Sequence, residues 1–210
     1  MEKADVTEET HHHPKVLAAL TRLRQLACHP RLVDPRSRVP SSKLERFLQL
    51  ATDLRAEGRR ALVFSQFVRH IDLVAAALEE TGARFARLDG RTPPEVRARR
   101  VDAFQEGALD LFLVSLKAGG TGLNLTAADT VVLLDPWWNP AVEDQAADRA
   151  HRIGQRQPVT VLRLIARGTV EEKILDVHAE KRDLFARLLG GAAAPGRLTT
   201  EELVALIRGE

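Results

Sequence analysis

Five short apolar runs, separated by stretches of helical period, constrain this chain more than any other feature. They are Ala61 to Ser65, Phe85 to Leu88, Leu111 to Ser115, Val131 to Leu134 and Val159 to Ile165. A strand buried on both faces reads as a continuous apolar run rather than an alternation. The intervening segments carry apolar residues at helical spacing, as in Val68, Ile71, Val74, Ala75 and Leu78, which Gly82 stops. Strand and helix in alternation predict an α/β fold: a parallel sheet with helices on both faces.

Around that unit the chain divides into three. Residues 1–40 read as a disordered start and a helical connector. The start is polar and acidic and ends at Pro14; Val16, Leu17, Leu20, Leu23, Leu26 and Ala27 then recur at helical spacing up to Cys28. Pro30, Pro35 and Pro40 punctuate the stretch between Cys28 and the sheet domain. Residues 41–190 are the sheet domain. It opens on Ser42-Lys43-Leu44-Glu45, read as a capping box for a helix that buries Leu44, Phe47, Leu48, Ala51 and Leu54. Thr92 is read as the cap of a later helix with Pro93 at its first position. Thr169-Val170-Glu171-Glu172 caps a long helix turning Val170, Ile174, Val177, Leu184 and Leu188 inward. Residues 191–210 are a small-residue linker and a tail helix.

Charge does not announce the function. With 31 basic and 29 acidic residues the formal net charge is +2, so any basic footprint must be local. Arg91, Arg97, Arg99 and Arg100 on one loop and helix are such a cluster, or simply a solvated face. The one cysteine, Cys28, excludes an internal disulfide and suits a reducing compartment. No apolar run is long enough to span a membrane. His11, His12 and His13 lack zinc-ligand spacing, and no metal site is expected.

Ligands of an open parallel sheet sit beyond the carboxyl ends of its strands. Ser65-Gln66, Asp89-Gly90, Ser115-Leu116-Lys117 and Asp135-Pro136 fall there. The run Lys117 to Gly122 holds three glycines in positions 119–122. It is either a tight strand-to-helix turn or a loop whose backbone N–H groups approach phosphate. Trp137 and Trp138 come after the fourth strand, and adjacent rings rarely both face a core. Either both pack, or one lies against nucleic acid. Farther on, Gln145, Arg149 and Arg152 stand at spacings of four and three, along one helix ridge. Two guanidinium forks and an amide aimed at one point suit the dispersed charge of a phosphoryl group in transfer. The competing reading is an exposed helix with Asp/Arg pairs.

These blocks together resemble the second motor lobe of Swi/Snf-type ATP-dependent DNA translocases, within superfamily-two helicases. The resemblance covers roughly residues 15 to 190. It rests on Leu23 to Pro30, Val63-Phe64-Ser65-Gln66-Phe67, Arg87 to Thr92, Ser115 to Leu125, Asp135-Pro136-Trp137-Trp138-Asn139-Pro140, Gln145 to Gln155 and Gly168 to Ile174, in the family's order. One departure is Arg91, where the family usually has serine. The resemblance implies a RecA-like lobe that supplies Arg149 and Arg152 as arginine fingers, oriented by Gln145. It puts Gly120, Gly122 and Asp148 on the nucleotide side. Toward duplex DNA it puts Ser65, Gln66, Arg91, Arg97, Ser115, Lys117 and Trp138. ATP and Mg²⁺ would be held mainly by an N-terminal RecA-like lobe, because this chain has neither a Gly-x-x-x-x-Gly-Lys-Ser/Thr loop nor an Asp-Glu-x-His strand end. The expected partners are duplex DNA and that lobe; the isolated chain is expected to be monomeric and inactive. The alternative is a standalone, non-hydrolysing module that binds DNA or a partner. A Rossmann-like enzyme is disfavoured, since Ser65-Gln66-Phe67 offers no glycine turn after the first strand.

Overall fold

The computed structural model describes residues 5–115, 118, 125–137, 143, 150, 158–177 and 179, with side chains from Lys15 onward. Among these, strands β1 (Ala61–Ser65), β2 (Phe85–Leu88), β3 (Leu111–Ser115), β4 (Thr130–Leu133) and β5 (Thr160–Arg163) form one sheet in the order β2-β3-β1-β4-β5. Every pairing is parallel. The first three strands end where the apolar runs predict. β5 is shorter than the run from Val159 to Ile165, because its pairing with β4 covers only Thr160 to Arg163.

Period-two geometry sorts the strand side chains onto two cores. Leu62, Phe64, Phe112, Val114, Val131 and Leu133 share one face, packed with Phe104 of helix α4 (Pro94–Gln105), Ala118, Leu125 and Ala150. Ala61, Val63, Leu111, Leu113, Val132 and Leu134 face the other way. They pack against α2 (Ser42–Ala56) through Phe47, Ala51 and Leu54, and against α3 (Val68–Glu80) through Ile71, Val74 and Leu78. Burying each such side chain contributes about 1.5–3 kcal/mol, which is why the three central strands tolerate no solvent-facing position.

Helix α1 (Asp5–Cys28) begins well before Lys15, where the apolar period starts. Its Leu20 meets Val170 and Val177 of the helical residues 170–177. No helix among the described residues is long and apolar enough to cross a membrane.

Two capping assignments shift. Ser41, not Ser42, caps α2, its Oγ accepting from Leu44 N–H at 3.2 Å while its hydroxyl donates to the Cys28 carbonyl at 2.9 Å. That second bond ties the cap to α1 and selects Ser41. Thr92 does not cap α4, whose N-cap is Pro93. The Thr92 hydroxyl instead accepts from Asp89 N–H at 3.1 Å, closing the turn after β2.

The chain leaves β1 toward β2 across the α2/α3 face, then returns across the α4 face and continues past β1 to β4. The reversal opens crevices at the carboxyl end of β1, beside β3 and beside β4, where open α/β sheets bind ligands.

Candidate functional site

Asp135, just beyond β4, organises the crevice beside β1. The Ser65 hydroxyl donates to Asp135 Oδ2, and Gln66 N–H donates to Oδ1 at 3.1 Å. Burial pushes the Asp135 carboxyl above the usual range, against the pull of those two bonds and of Arg24 and Lys43. Held by both bonds, the Asp135 carboxylate fixes the backbone that presents Gln66. On the other side of β1, Ser115 pairs with Ser65 in register. Ser115 Oγ and Gln66 Nε2 are buried, and neither has a hydrogen-bond partner among the described residues. Orphaned buried polar groups are costly and uncommon, and two of them belong to residues lining one cleft.

They border a cleft of about 360 Å³ lined by Gln66, Arg69, Asp72, Asp89, Arg91 and Ser115. Asp89 shapes its far wall. Its carboxylate accepts from Arg91 N–H at 2.8 Å and from the Arg91 guanidinium at 2.9 Å, which holds its pKa below the usual carboxylate value. Arg87 bonds Asp72 at 2.6 Å next to it. The fold thus brings Gln66, Arg91 and Ser115 around one cavity, with Ser65 directly behind Gln66. Arg97 is half-buried on the first turn of α4, outside the cavity lining. Lys117, Gly120, Gly122, Trp138, Gln145, Asp148, Arg149 and Arg152 lie outside the described residues, as do the 191–210 linker and tail helix. Trp137 is part-buried against the α4-side core.

Behind the cleft lies a buried polar frame that sequence reasoning missed. Lys43 Nζ reaches both Glu171 oxygens at 2.6 Å and the Leu134 carbonyl at 3.0 Å. Glu171 is fully buried and also accepts from Ala166 N–H at 2.8 Å. Desolvation raises its pKa, and Lys43 opposes the rise. Arg24, on α1, donates to the Pro136 carbonyl at 2.6 Å and lies over the Phe67 ring. Cys28 Sγ lies 3.7 Å from Glu171 Oε1, and burial pushes the thiol well above its ordinary value. His70, wholly buried on α3, has no partner at either ring nitrogen among the described residues. Desolvation lowers its pKa to about 3, so the imidazole is neutral near pH 7. One signal was present in the sequence: Arg24 shares the ridge of Leu20 and Cys28, and Lys43 that of Phe47 and Ala51.

The helicase conserved C-terminal domain family matches residues 42–154. The chain is 42% identical over 186 residues to the chromatin-remodeling ATPase INO80 of Aspergillus terreus, covering 88% of this chain and 11% of that protein. It is 45% identical over 160 residues to INO80 of Drosophila melanogaster, covering 75% and 10%. To the putative ATP-dependent helicase/translocase YwqA of Bacillus subtilis it is 40% identical over 194 residues, covering 90% and 21%. Among solved structures, the C-terminal part of the Fun30 ATPase domain is similar, with a TM-score of 0.64 and 29% identity, over 88% of this chain and 57% of that one. The chain therefore spans between 10% and 21% of the length of these full-length relatives.

Proposed function

Since the chain belongs to the helicase conserved C-terminal domain family, as the RecA-like second lobe of the Swi/Snf-type superfamily-two helicases, we propose that it is the second motor half of a DNA-stimulated ATPase that translocates on duplex DNA or remodels protein–DNA complexes. An N-terminal lobe would hold ATP and Mg²⁺, which supply the phosphoryl group and neutralise its charge. Arg149 and Arg152 of this chain reach across to stabilise charge on that group, with Gln145 orienting them or the attacking water. Gly120, Gly122 and Asp148 line the nucleotide side. Ser65, Gln66, Arg91, Arg97, Ser115, Lys117 and Trp138 track the DNA backbone.

The observation that carries this reading is the cleft at the ends of β1, β2 and β3. Gln66 Nε2 and Ser115 Oγ are orphaned beside it, and Arg91 stands at its rim. Residues that carry a hydroxyl, an amide and a guanidinium line one groove, and such groups are suited to phosphate oxygens. The Arg91 side chain is 68% exposed, and an ion pair so solvated adds little to stability. It therefore exchanges its bond to Asp89 for a phosphate at little cost. Binding of this kind is independent of base sequence and weakened by salt. In a protein containing both lobes, Arg97→Ala is expected to weaken binding equally on unrelated duplexes and to reduce the slope of log affinity against log salt by about 0.9. A sequence-dependent loss at unchanged slope contradicts the backbone assignment.

The direct test mixes this chain with a first-lobe polypeptide of a matching protein and measures DNA-stimulated ATP hydrolysis, with Arg152→Ala as control. Activity only in the mixture, lost in the control, supports a motor half that completes its partner's active site. A complex without activity favours the alternative, a binding module. The chain alone is expected to hydrolyse no ATP above background, with or without DNA, for want of a phosphate loop and a magnesium-binding acid. DNA-stimulated turnover by a contaminant-free preparation refutes that expectation.

A further inference from the structure

The polar frame behind the cleft contains a cluster that the motor reading leaves unused. Cys28 of α1, His70 of α3 and Asp135 beyond β4 each offer a ligand atom, and the three atoms lie within 4.8 Å of one another. All three residues are buried. We propose that Cys28, His70 and Asp135 form a binding site for a borderline-soft divalent cation of the zinc class, which joins α1 to the sheet directly behind Ser65 and Gln66.

Four observations support the site. First, His70 is wholly buried with both ring nitrogens unpartnered among the described residues, and a cation supplies the missing partner. Second, thiolate, imidazole and carboxylate together are the donor set of zinc rather than of magnesium or calcium, which take oxygen. Third, the charges balance. A divalent cation with one thiolate, one carboxylate and a neutral imidazole has no net charge, and binding releases the Cys28 proton to solvent. Fourth, the span is right. Zinc bonds of about 2.0–2.3 Å space tetrahedral ligand atoms by about 3.5 Å, and the three ligand atoms already stand within 4.8 Å of one another. Glu171 Oε1, 3.7 Å from Cys28 Sγ, offers an additional oxygen. Ser65, donating to Asp135, is an outer-shell partner. Arg24 and Lys43 face the same cluster and oppose a cation. Lys43 is matched by Glu171, so the residual repulsion comes mainly from Arg24 and makes the site weaker than an all-cysteine one.

The ligands are 28, 70 and 135 in the chain, which no sequential zinc spacing reveals. This inference does not rest on the motor assignment, and its test needs no ATPase. The full chain is made with His11→Ala, His12→Ala and His13→Ala, which removes the N-terminal histidines as competitors, then stripped with chelator and titrated with Co²⁺. The expected result is a thiolate-to-cobalt charge-transfer band saturating at roughly one equivalent and bleached by Zn²⁺. Cys28→Ala abolishes the band, and Ser65→Ala lowers cobalt affinity by about 10–100-fold. The unsubstituted cluster is decisive whatever the variants do: no thiolate band in a chain shown by circular dichroism to be folded overturns the proposal. Cobalt bound equally well by folded Cys28→Ala and His70→Gln chains overturns it too.

Discussion

Exchanging Arg152 for lysine in a protein carrying both lobes is expected to lower DNA-stimulated ATP turnover by about 10³-fold or more while DNA affinity stays unchanged. Lysine keeps the charge but replaces a rigid fork of donors with a single flexible ammonium. A finger acts only on charge that develops in transfer, so its loss appears in kcat rather than in binding. The same exchange at Arg149 provides the comparison, since both arginines lie on one predicted ridge with Gln145. Measuring turnover at saturating ATP and DNA, with DNA affinity from anisotropy, separates the two effects. Near-normal turnover in Arg152→Lys removes this residue from the finger role.

Lys43→Ala should produce the largest loss of stability in the described fold, about 3–5 kcal/mol. The Lys43 and Glu171 side chains are only 3% and 0% exposed. Deleting the ammonium leaves a buried carboxylate without its counter-charge and the Leu134 carbonyl without its donor. The double change Lys43→Met with Glu171→Leu should recover most of the loss, because an apolar pair of similar volume incurs no desolvation penalty. Urea unfolding of the parent, the single variant and the double variant measures this. A single-variant loss under about 1 kcal/mol would mean that the pair behaves like a solvated one.

These two expectations differ in how far the sequence alone supports them. The strands were legible because burial on both faces forces runs such as Leu62-Val63-Phe64 and Phe112-Leu113-Val114 to be apolar throughout, and their shortness separates them from a buried helix. The placement of Ser65, Gln66 and Ser115 came from the sheet rule about strand ends. The caps were less legible. Locally Glu45 favours Ser42 as the cap, and the bond from Ser41 to the Cys28 carbonyl, distant in sequence, favours Ser41 instead. The polar frame left only a hint, in the ridges that Arg24 and Lys43 share with apolar neighbours. Lys43 meets Glu171 across 128 residues and Arg24 meets Pro136 across 112, whereas pattern rules for helices reach about four residues. A charge on a helix is ordinarily solvated, so that hint alone does not identify their partners.

The frame also has a mechanical consequence. Helix α1 and the helix through 170–177 meet each other at Leu20, Val170 and Val177. They are joined to the end of β4 by Arg24 and by Lys43 with Glu171. Among the described residues, tension applied between helix α1 and the helical residues 170–177 is therefore carried through this buried knot rather than along the parallel strands. The sheet that presents Gln66 and Ser115 can keep its shape under such a load, and the knot is where pulling on both ends of the lobe should first break it.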